Sequence, residues 1–197
     1  MANVMFTDHL SILDHSLNCL SQEFEMECPN QNCYWVAAGQ LLAGEYPRDQ
    51  DLKTSQQKLQ KYLNAGVSFF VDLTQEGELS RYDNLLPELA LNGLPIGYIR
   101  FVIPDKSVPG NKLLMQNILD SIHHAIGQGH CVYVHCWGGV GRTGTVVGCY
   151  LIERGMSGQE ALIHLQQLWS FVNKIHRHPI APETQEQRQW ILDWASN

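Results

Sequence analysis

Val132-Tyr133-Val134-His135-Cys136-Trp137-Gly138-Gly139-Val140-Gly141-Arg142-Thr143-Gly144 is the stretch whose reading decides the fold. An apolar, β-rich run from Cys131 to Val134 ends at His135-Cys136, and a loop containing Gly138, Gly139 and Gly141 follows. Arg142-Thr143 then opens an apolar segment that continues in helical register to Arg154. The order predicts a strand, a tight loop and a helix N-terminus.

Such a turn suits an anion. The five residues between Cys136 and Arg142 can wrap into a semicircle of inward-pointing backbone N–H groups, with glycines supplying the positive φ angles a nest needs. A helix that starts near Arg142 adds the positive end of its dipole. The planar guanidinium of Arg142 can grip two phosphate oxygens at once. A sulfur held among such donors is favoured as thiolate, the nucleophilic form. The stretch therefore activates a nucleophile, Cys136, and binds the group it attacks through Trp137, Gly138, Gly139, Val140, Gly141 and Arg142. The plain structural alternative is a buried cysteine ahead of an ordinary glycine-rich turn.

The 197 residues suffice for one domain with a substantial core. A net charge of −7 argues against a broad nucleic-acid or anionic-membrane surface, while leaving room for a local basic pocket. Met1 to Leu10 lacks a basic stretch followed by a long apolar one, and no apolar run approaches bilayer-spanning length. A cytoplasmic chain with neither nucleic-acid nor membrane partners is expected. The six cysteines do not make a disulfide scaffold in a chain this long and core-rich. Cys28 and Cys33 read as thiols of a polar leading loop. Cys131 and Cys149 read as small core residues, with a lesser alternative in which one of them protects Cys136 as a disulfide. His123, His124, His130 and His135 show no metal-ligand spacing, so no metal is expected.

Along the chain, residues 1–30 form an extension with apolar positions at Phe6, Leu10, Leu13 and Leu17, spaced for a short amphipathic helix, and residues 31–197 form the domain. Strands are expected at Tyr34–Val36, Leu41–Gly44, Val67–Leu73 and Tyr98–Ile103, and helices at Asp51–Leu63, Leu85–Leu91 and Asn111–Gly127. Three more helices follow, from Arg142, from Gly158 to about Val172, and from Pro182 to Trp194. Strands alternating with helices predict an α/β domain with a central, mainly parallel sheet, its active residues on loops at the carboxyl edge.

His135-Cys136-x-x-Gly139-x-x-Arg142-Thr143 resembles the signature of the cysteine-dependent protein tyrosine phosphatase superfamily. Gly139-Val140-Gly141-Arg142-Thr143-Gly144 is similar to the tyrosine-specific members and some dual-specificity ones, and Trp35 to Pro47 resembles the opening hairpin of bacterial dual-specificity-like members. With a chain short for the large tyrosine-specific enzymes, the compact dual-specificity-like branch fits better. The resemblance implies hydrolysis of phosphomonoesters through a phosphocysteine, without cofactor, on a phosphoprotein or phosphopeptide, with phosphotyrosine foremost and phosphoserine or phosphothreonine as further substrates.

A departing alkoxide or phenoxide needs an acid. Asp105 in Ile103-Pro104-Asp105, thirty-one residues before Cys136, looks like the superfamily's mobile acid loop; otherwise it is a turn aspartate. The resemblance further suggests that Glu78 orients Arg142, or else is a solvated loop carboxylate, and that Gln187 positions the hydrolytic water. His135 is expected to hold the loop and Thr143 to donate its hydroxyl to the sulfur. Trp137 either walls the pocket or packs beneath the loop. Lys174, His176, Arg177 and His178 form a basic cluster, either a solvated loop or a rim for an acidic phosphopeptide. Two alternatives stand. A phosphoinositide or inositol phosphate phosphatase usually carries lysines inside this loop, and Trp137 to Gly141 has none. A catalytically silent phosphate-binding module is opposed by the joint presence of Cys136, Arg142 and Asp105.

Overall fold

A computed structural model describes residues 26–89 and 95–194. The amphipathic pattern between Phe6 and Leu17 and the end of the Leu85–Leu91 helix lie outside the described residues. Strands β1 (Cys33–Ala37) and β2 (Leu41–Gly44) form an antiparallel hairpin. Then come α1 (Leu52–Asn64), β3 (Val67–Asp72), a 3-10 turn (Asp83–Leu85) leading into α2 (Leu86–Leu89), β4 (Gly97–Arg100) and α3 (Lys112–Gly127). The chain continues with β5 (Cys131–His135), α4 (Gly141–Glu153), α5 (Gly158–Trp169), a second 3-10 turn (Asn173–His176) and α6 (Gln185–Trp194).

The five strands form one sheet in the order β1-β2-β5-β3-β4, parallel except for the opening hairpin. It is the expected α/β architecture. Side-chain alternation divides the core in two. Val71, Val132 and Val134 face helices α3, α4, α5 and α6, meeting Met115, Ile118, Val147, Leu165 and Ile191. Phe70 and Tyr133 face the other way and meet Leu59 and Tyr62 of α1 with Tyr82 and Leu86. No helix among the described residues is long and apolar enough to cross a membrane.

Local chemistry sets the helix starts. Asp51 caps α1 by accepting from the Lys53 and Thr54 N–H groups, and Asn111 caps α3 by accepting from Leu114 N–H. Ser157 and Glu160 form a reciprocal capping box on α5. Several expected boundaries move, and the helix expected to reach about Val172 ends at Trp169. The strand expected to reach Ile103 ends at Arg100, because its neighbour β3 stops at Asp72. Past that point Phe101 N–H still donates to Asp72 O at 2.8 Å and Ile103 N–H to Leu73 O at 3.3 Å, until Pro104 has no N–H to offer. The last helix begins at Gln185 rather than at Pro182.

Register sets up the site. Gly44 and Asp72 both lie opposite His135, and Arg100 lies opposite Asp72, so the carboxyl ends of β2, β5, β3 and β4 form one row. Cys136 follows that row directly, at the sheet edge where open α/β folds bind ligands.

Candidate active site

β5 delivers Cys136, 3% exposed, to the floor of a cleft of about 280 Å3. The loop to Arg142 curves round it, and Trp137, Gly138, Val140, Gly141 and Arg142 all line the cleft. Gly139 does not line it. It faces backward at φ +79°, where a Cβ would lie 2.5 Å from the Gly44 carbonyl carbon and 2.8 Å from Glu45 N, so only glycine lets the loop sit on the β2 backbone. Trp137 walls the cleft and is 56% exposed, while its carbonyl accepts from Tyr46 N–H at 2.9 Å. Helix α4 starts on the loop, and no side chain among the described residues caps it. Its first-turn N–H groups have no intrahelical acceptors, which makes its N-terminus an anion-binding end.

Arg142 is the best-fixed cation of the site, with a side chain 1% exposed. Nη1 donates to Glu78 Oε2 at 2.8 Å and Nη2 to Glu78 Oε1 at 2.6 Å, a bidentate pair between residues 64 apart in sequence. Nη1 also donates to the Ile103 carbonyl at 3.1 Å and Nη2 to Asp105 Oδ1 at 2.9 Å. Glu78 is thus no solvated carboxylate. Burial pushes its carboxyl up, but hydrogen bonds from Arg142 and from Gln75 N–H outweigh that and hold it below the usual carboxylate range. Asp105 lies at the cleft with its side chain 46% exposed.

His135 is fully buried, and burial pushes its imidazole down to about 4, with the Asp72 charge opposing. The neutral ring meets Tyr82 Oη through Nε2 at 2.6 Å and the Cys136 carbonyl through Nδ1 at 3.4 Å. Since the Cys136 carbonyl can only accept, Nδ1 carries the proton and Nε2 accepts from Tyr82. His123 pairs with Glu153 and His130 with Ser68, so those two histidines belong to other neighbourhoods.

The structure does not join Thr143 to the Cys136 sulfur. Its Oγ1 is buried with no hydrogen-bond partner among the described residues. Gln187 is fully buried and its Nε2 donates to Ser107 O at 3.0 Å, tying α6 to the Asp105 loop. The alternative that made Cys131 a partner of Cys136 fails on distance, since Cys131 lies at the far end of β5, about 16 Å away at strand rise, and Cys149 is a free buried thiol of α4. A disulfide needs Cα atoms within about 7 Å.

Sequence reasoning missed Glu45, Glu183 and Tyr82. Glu45 holds Lys174 and Lys58, each at 2.7 Å, and Lys174 Nζ reaches the Gly138 carbonyl at 3.4 Å. Glu183 lines the cleft, and its Oε1 lies 2.7 Å from where a Cβ on Gly141 would be. Neither carboxylate carried a signal, because each matters only through its neighbours in space. Lys174, Arg177 and His178 do reach the cleft, together with Lys106, whereas His176 is not among the lining residues.

Among known proteins the chain resembles several of this architecture. The protein 067L of Invertebrate iridescent virus 3, named as a tyrosine phosphatase, is 29% identical over 174 residues, covering 83% of this chain and 61% of the viral one. The chain thus spans less than two thirds of that relative's length. PTEN1 of Arabidopsis thaliana, named as a phosphatidylinositol 3,4,5-trisphosphate 3-phosphatase and protein-tyrosine-phosphatase, is 40% identical over 65 residues, 32% of this chain and 16% of that protein. The crystal structure of Tk-PTP in its active form superposes with a TM-score of 0.67 at 23% identity, covering 84% of this chain and 97% of the other, a likeness of fold. The family model of PTP-SAK, the Swiss Army Knife protein DSP-PTPase phosphatase domain, matches residues 30–189, and the chain belongs to that family.

Proposed function

We propose that the protein is a cysteine-dependent phosphomonoesterase acting on phosphorylated protein, phosphotyrosine foremost, through a phosphocysteine intermediate. The supporting observation is one cleft of about 280 Å3 that gathers Cys136, Asp105 and an Arg142 held bidentate by Glu78.

In this reading the Cys136 thiolate attacks phosphorus in line with the leaving oxygen. Arg142 and the N–H groups from Trp137 to Arg142 hold the equatorial oxygens, where charge is greatest in the transition state. Asp105 gives its proton to the departing oxygen, then takes one from the water that hydrolyses the phosphocysteine. Glu78 keeps the guanidinium plane facing the phosphoryl group. His135, neutral and bridging Tyr82 to the Cys136 carbonyl, orients the loop without transferring a proton. Thr143, with its hydroxyl otherwise unengaged, donates to the sulfur as it leaves. Gln187 sets the position of the Asp105 loop through Ser107 and orients the hydrolytic water.

The inositol phosphate alternative draws support from Lys106 and Lys174, which bring to the cleft the lysines the loop lacks, and from the PTEN1-like stretch. The deciding assay is hydrolysis of para-nitrophenyl phosphate, a phosphotyrosine peptide and an inositol bisphosphate in EDTA, by wild type, Cys136→Ser and Asp105→Asn. Peptide turnover above that of the inositol phosphate, abolished in Cys136→Ser, is expected. Activity surviving Cys136→Ser would overturn the mechanism. Phosphopeptide binding without turnover would leave a binding module instead.

A further inference from the structure

Away from the cleft, the fold brings together two thiols of the leading loop. Cys33 opens β1 and is buried, Cys28 is exposed, and both are free. The turn between them folds back on itself, with Asn32 N–H donating to Asn30 Oδ1 at 2.7 Å and the Cys33 thiol to the Asn30 carbonyl at 3.3 Å. The single Cys33 proton is shared with the Cys28 sulfur, which also accepts from Trp35 N–H of β1. The hydrogen bond from Cys33 outweighs burial and, with Trp35 N–H, holds the Cys28 thiol below the usual cysteine range. The same bond, joined by burial, pushes Cys33 up. An exposed sulfur favoured as thiolate thus lies beside a buried protonated one, the asymmetry of an attacking and a resolving thiol. Both line a cavity of about 570 Å3 that a small oxidant can enter.

The turn also bears on the phosphate-binding loop from behind. Asn30 Nδ2 donates to Tyr62 Oη at 2.6 Å, and the path continues through Tyr133 Oη at 2.9 Å to the Glu45 carbonyl at 2.6 Å. Asn32 Nδ2 donates to Glu45 Oε2 at 3.2 Å. Gln31 O accepts from Asn173 N–H at 2.9 Å, and the Asn173 amide also donates to Gln31 Oε1. Glu45 and Asn173 between them place Lys174, which rests on the Gly138 carbonyl. The backbone is equally tight. A Cβ on Gly44 would lie 2.6 Å from Asn32 O and 2.7 Å from Cys33 Cβ, and the same Gly44 backbone carries Gly139.

We propose that Cys28 and Cys33 are a redox-active pair, closed to a disulfide by a hydroperoxide, and that closure weakens anion binding at the phosphate-binding loop. The bond stands on its own, whereas its effect on the loop rests on the phosphatase reading above. The Cys28 thiolate attacks hydrogen peroxide, the O–O bond breaks, and the hydroxide released takes up the proton that Cys28 gave up. Cys33 then loses its proton and attacks the Cys28 sulfur. The S–O bond of the sulfenic acid breaks, and its hydroxide leaves with that proton as water. Two thiols lose two electrons and one peroxide becomes two waters. Closure takes the Cys33 sulfur off the Asn30 carbonyl, so the anchors at Asn30, Gln31 and Asn32 shift and the hold on Lys174 slackens.

The test uses full-length Cys136→Ser protein, which removes the other reactive sulfur, treated with hydrogen peroxide at neutral pH. Mass spectrometry should show the loss of two hydrogens and a peptide cross-link between Cys28 and Cys33. The Kd for inorganic phosphate should rise about threefold on oxidation and return with dithiothreitol. Amide exchange in the Asn173–His176 turn should quicken in the oxidised form, a readout that needs no ligand. A further Cys28→Ser change should abolish all three responses, and a further Lys174→Ala change should equalise phosphate binding by the two redox forms. Oxidation of Cys28 without Cys33, or its bonding to another thiol, overturns the pair. A disulfide that alters neither phosphate affinity nor exchange overturns its link to the loop. Faster exchange in a protein that binds phosphate in neither form would uphold the device and count against the phosphatase reading instead.

Discussion

Asp105 Oδ1 accepts a hydrogen bond from Arg142 Nη2 at 2.9 Å. The carboxyl proposed to protonate the leaving group therefore rests on the guanidinium proposed to hold the phosphoryl group. The remaining terminal N–H contacts of Arg142 go to Glu78 and the Ile103 carbonyl. In the proposed mechanism a phosphate seeking two of these donors would displace the more exposed carboxylate, Asp105 at 46%, before Glu78 at 12%, so that anion binding and release of the acid would be one event.

Asp105→Asn should separate the two consequences. Turnover of substrates with poor leaving groups falls about 100-fold, because the proton donor is gone. Inorganic phosphate binds about threefold more tightly, because no carboxylate competes for Nη2. Steady-state kinetics with phosphate as inhibitor read both. Weaker phosphate binding would mean that Asp105 supports the anion site instead of contesting it.

Glu78→Gln keeps the shape and removes the charge opposite a buried guanidinium. The expected cost is about 2 kcal/mol of stability, measured as a shift in the urea midpoint. A fall in kcat/KM of about tenfold or more should accompany it as the guanidinium plane loosens. Unchanged kinetics would remove Glu78 from the orienting role.

Gly139→Ala and Gly77→Ala form a matched pair. Both positions have positive φ, +79° and +77°, but Gly139 is pressed against the Gly44 and Glu45 backbone while Gly77 has open space. Gly77→Ala should cost about 1 kcal/mol from backbone strain alone. Gly139→Ala should cost about 3 kcal/mol or more and abolish phosphate binding, since the loop must lift off β2. Thermal melts with and without phosphate distinguish them. Equal costs would show that the close approach carries no weight.

Acid stability should bend at His135. Its folded value of about 4 lies below the ordinary 6.5, so between those values the unfolded chain binds a proton that the folded chain refuses. Stability is thus full above about 6.5 and declines as the pH falls towards about 4, by about 3 kcal/mol in total. Glu45, Asp72 and Glu78 are all lowered, so their contribution is present above ordinary carboxylate values and is lost only as the pH falls through their folded ones. His135→Asn should flatten the upper window and spare the lower. Urea midpoints across pH would show it, and an unchanged upper slope would assign the effect elsewhere.

Much of this molecule was legible along the chain. The strand-loop-helix at Cys136, the helices beginning near Asp51 and Asn111, and the apolar runs of β3 and β5 are local patterns, set by neighbours within a turn or a loop. The strand expected at Phe101–Ile103 ended early because a strand needs a partner, and β3 had run out. Thr143 was assigned to the sulfur from its place in the motif, and in the folded chain its buried hydroxyl has no hydrogen-bond partner among the described residues.

The chemistry of a thiol, an arginine and glycines at fixed spacing is written within nine residues, so the sequence alone determined the anion loop and, with the alternation of elements, the α/β class. Only the tertiary structure decided that Glu78 rather than solvent meets Arg142, that Tyr82 meets His135 Nε2, and that Glu45 aims Lys174 at the loop. Those pairings join residues far apart in the chain. Which of them meet depends on strand order and register, and a charge or hydroxyl has no periodicity by which its distant partner can be read.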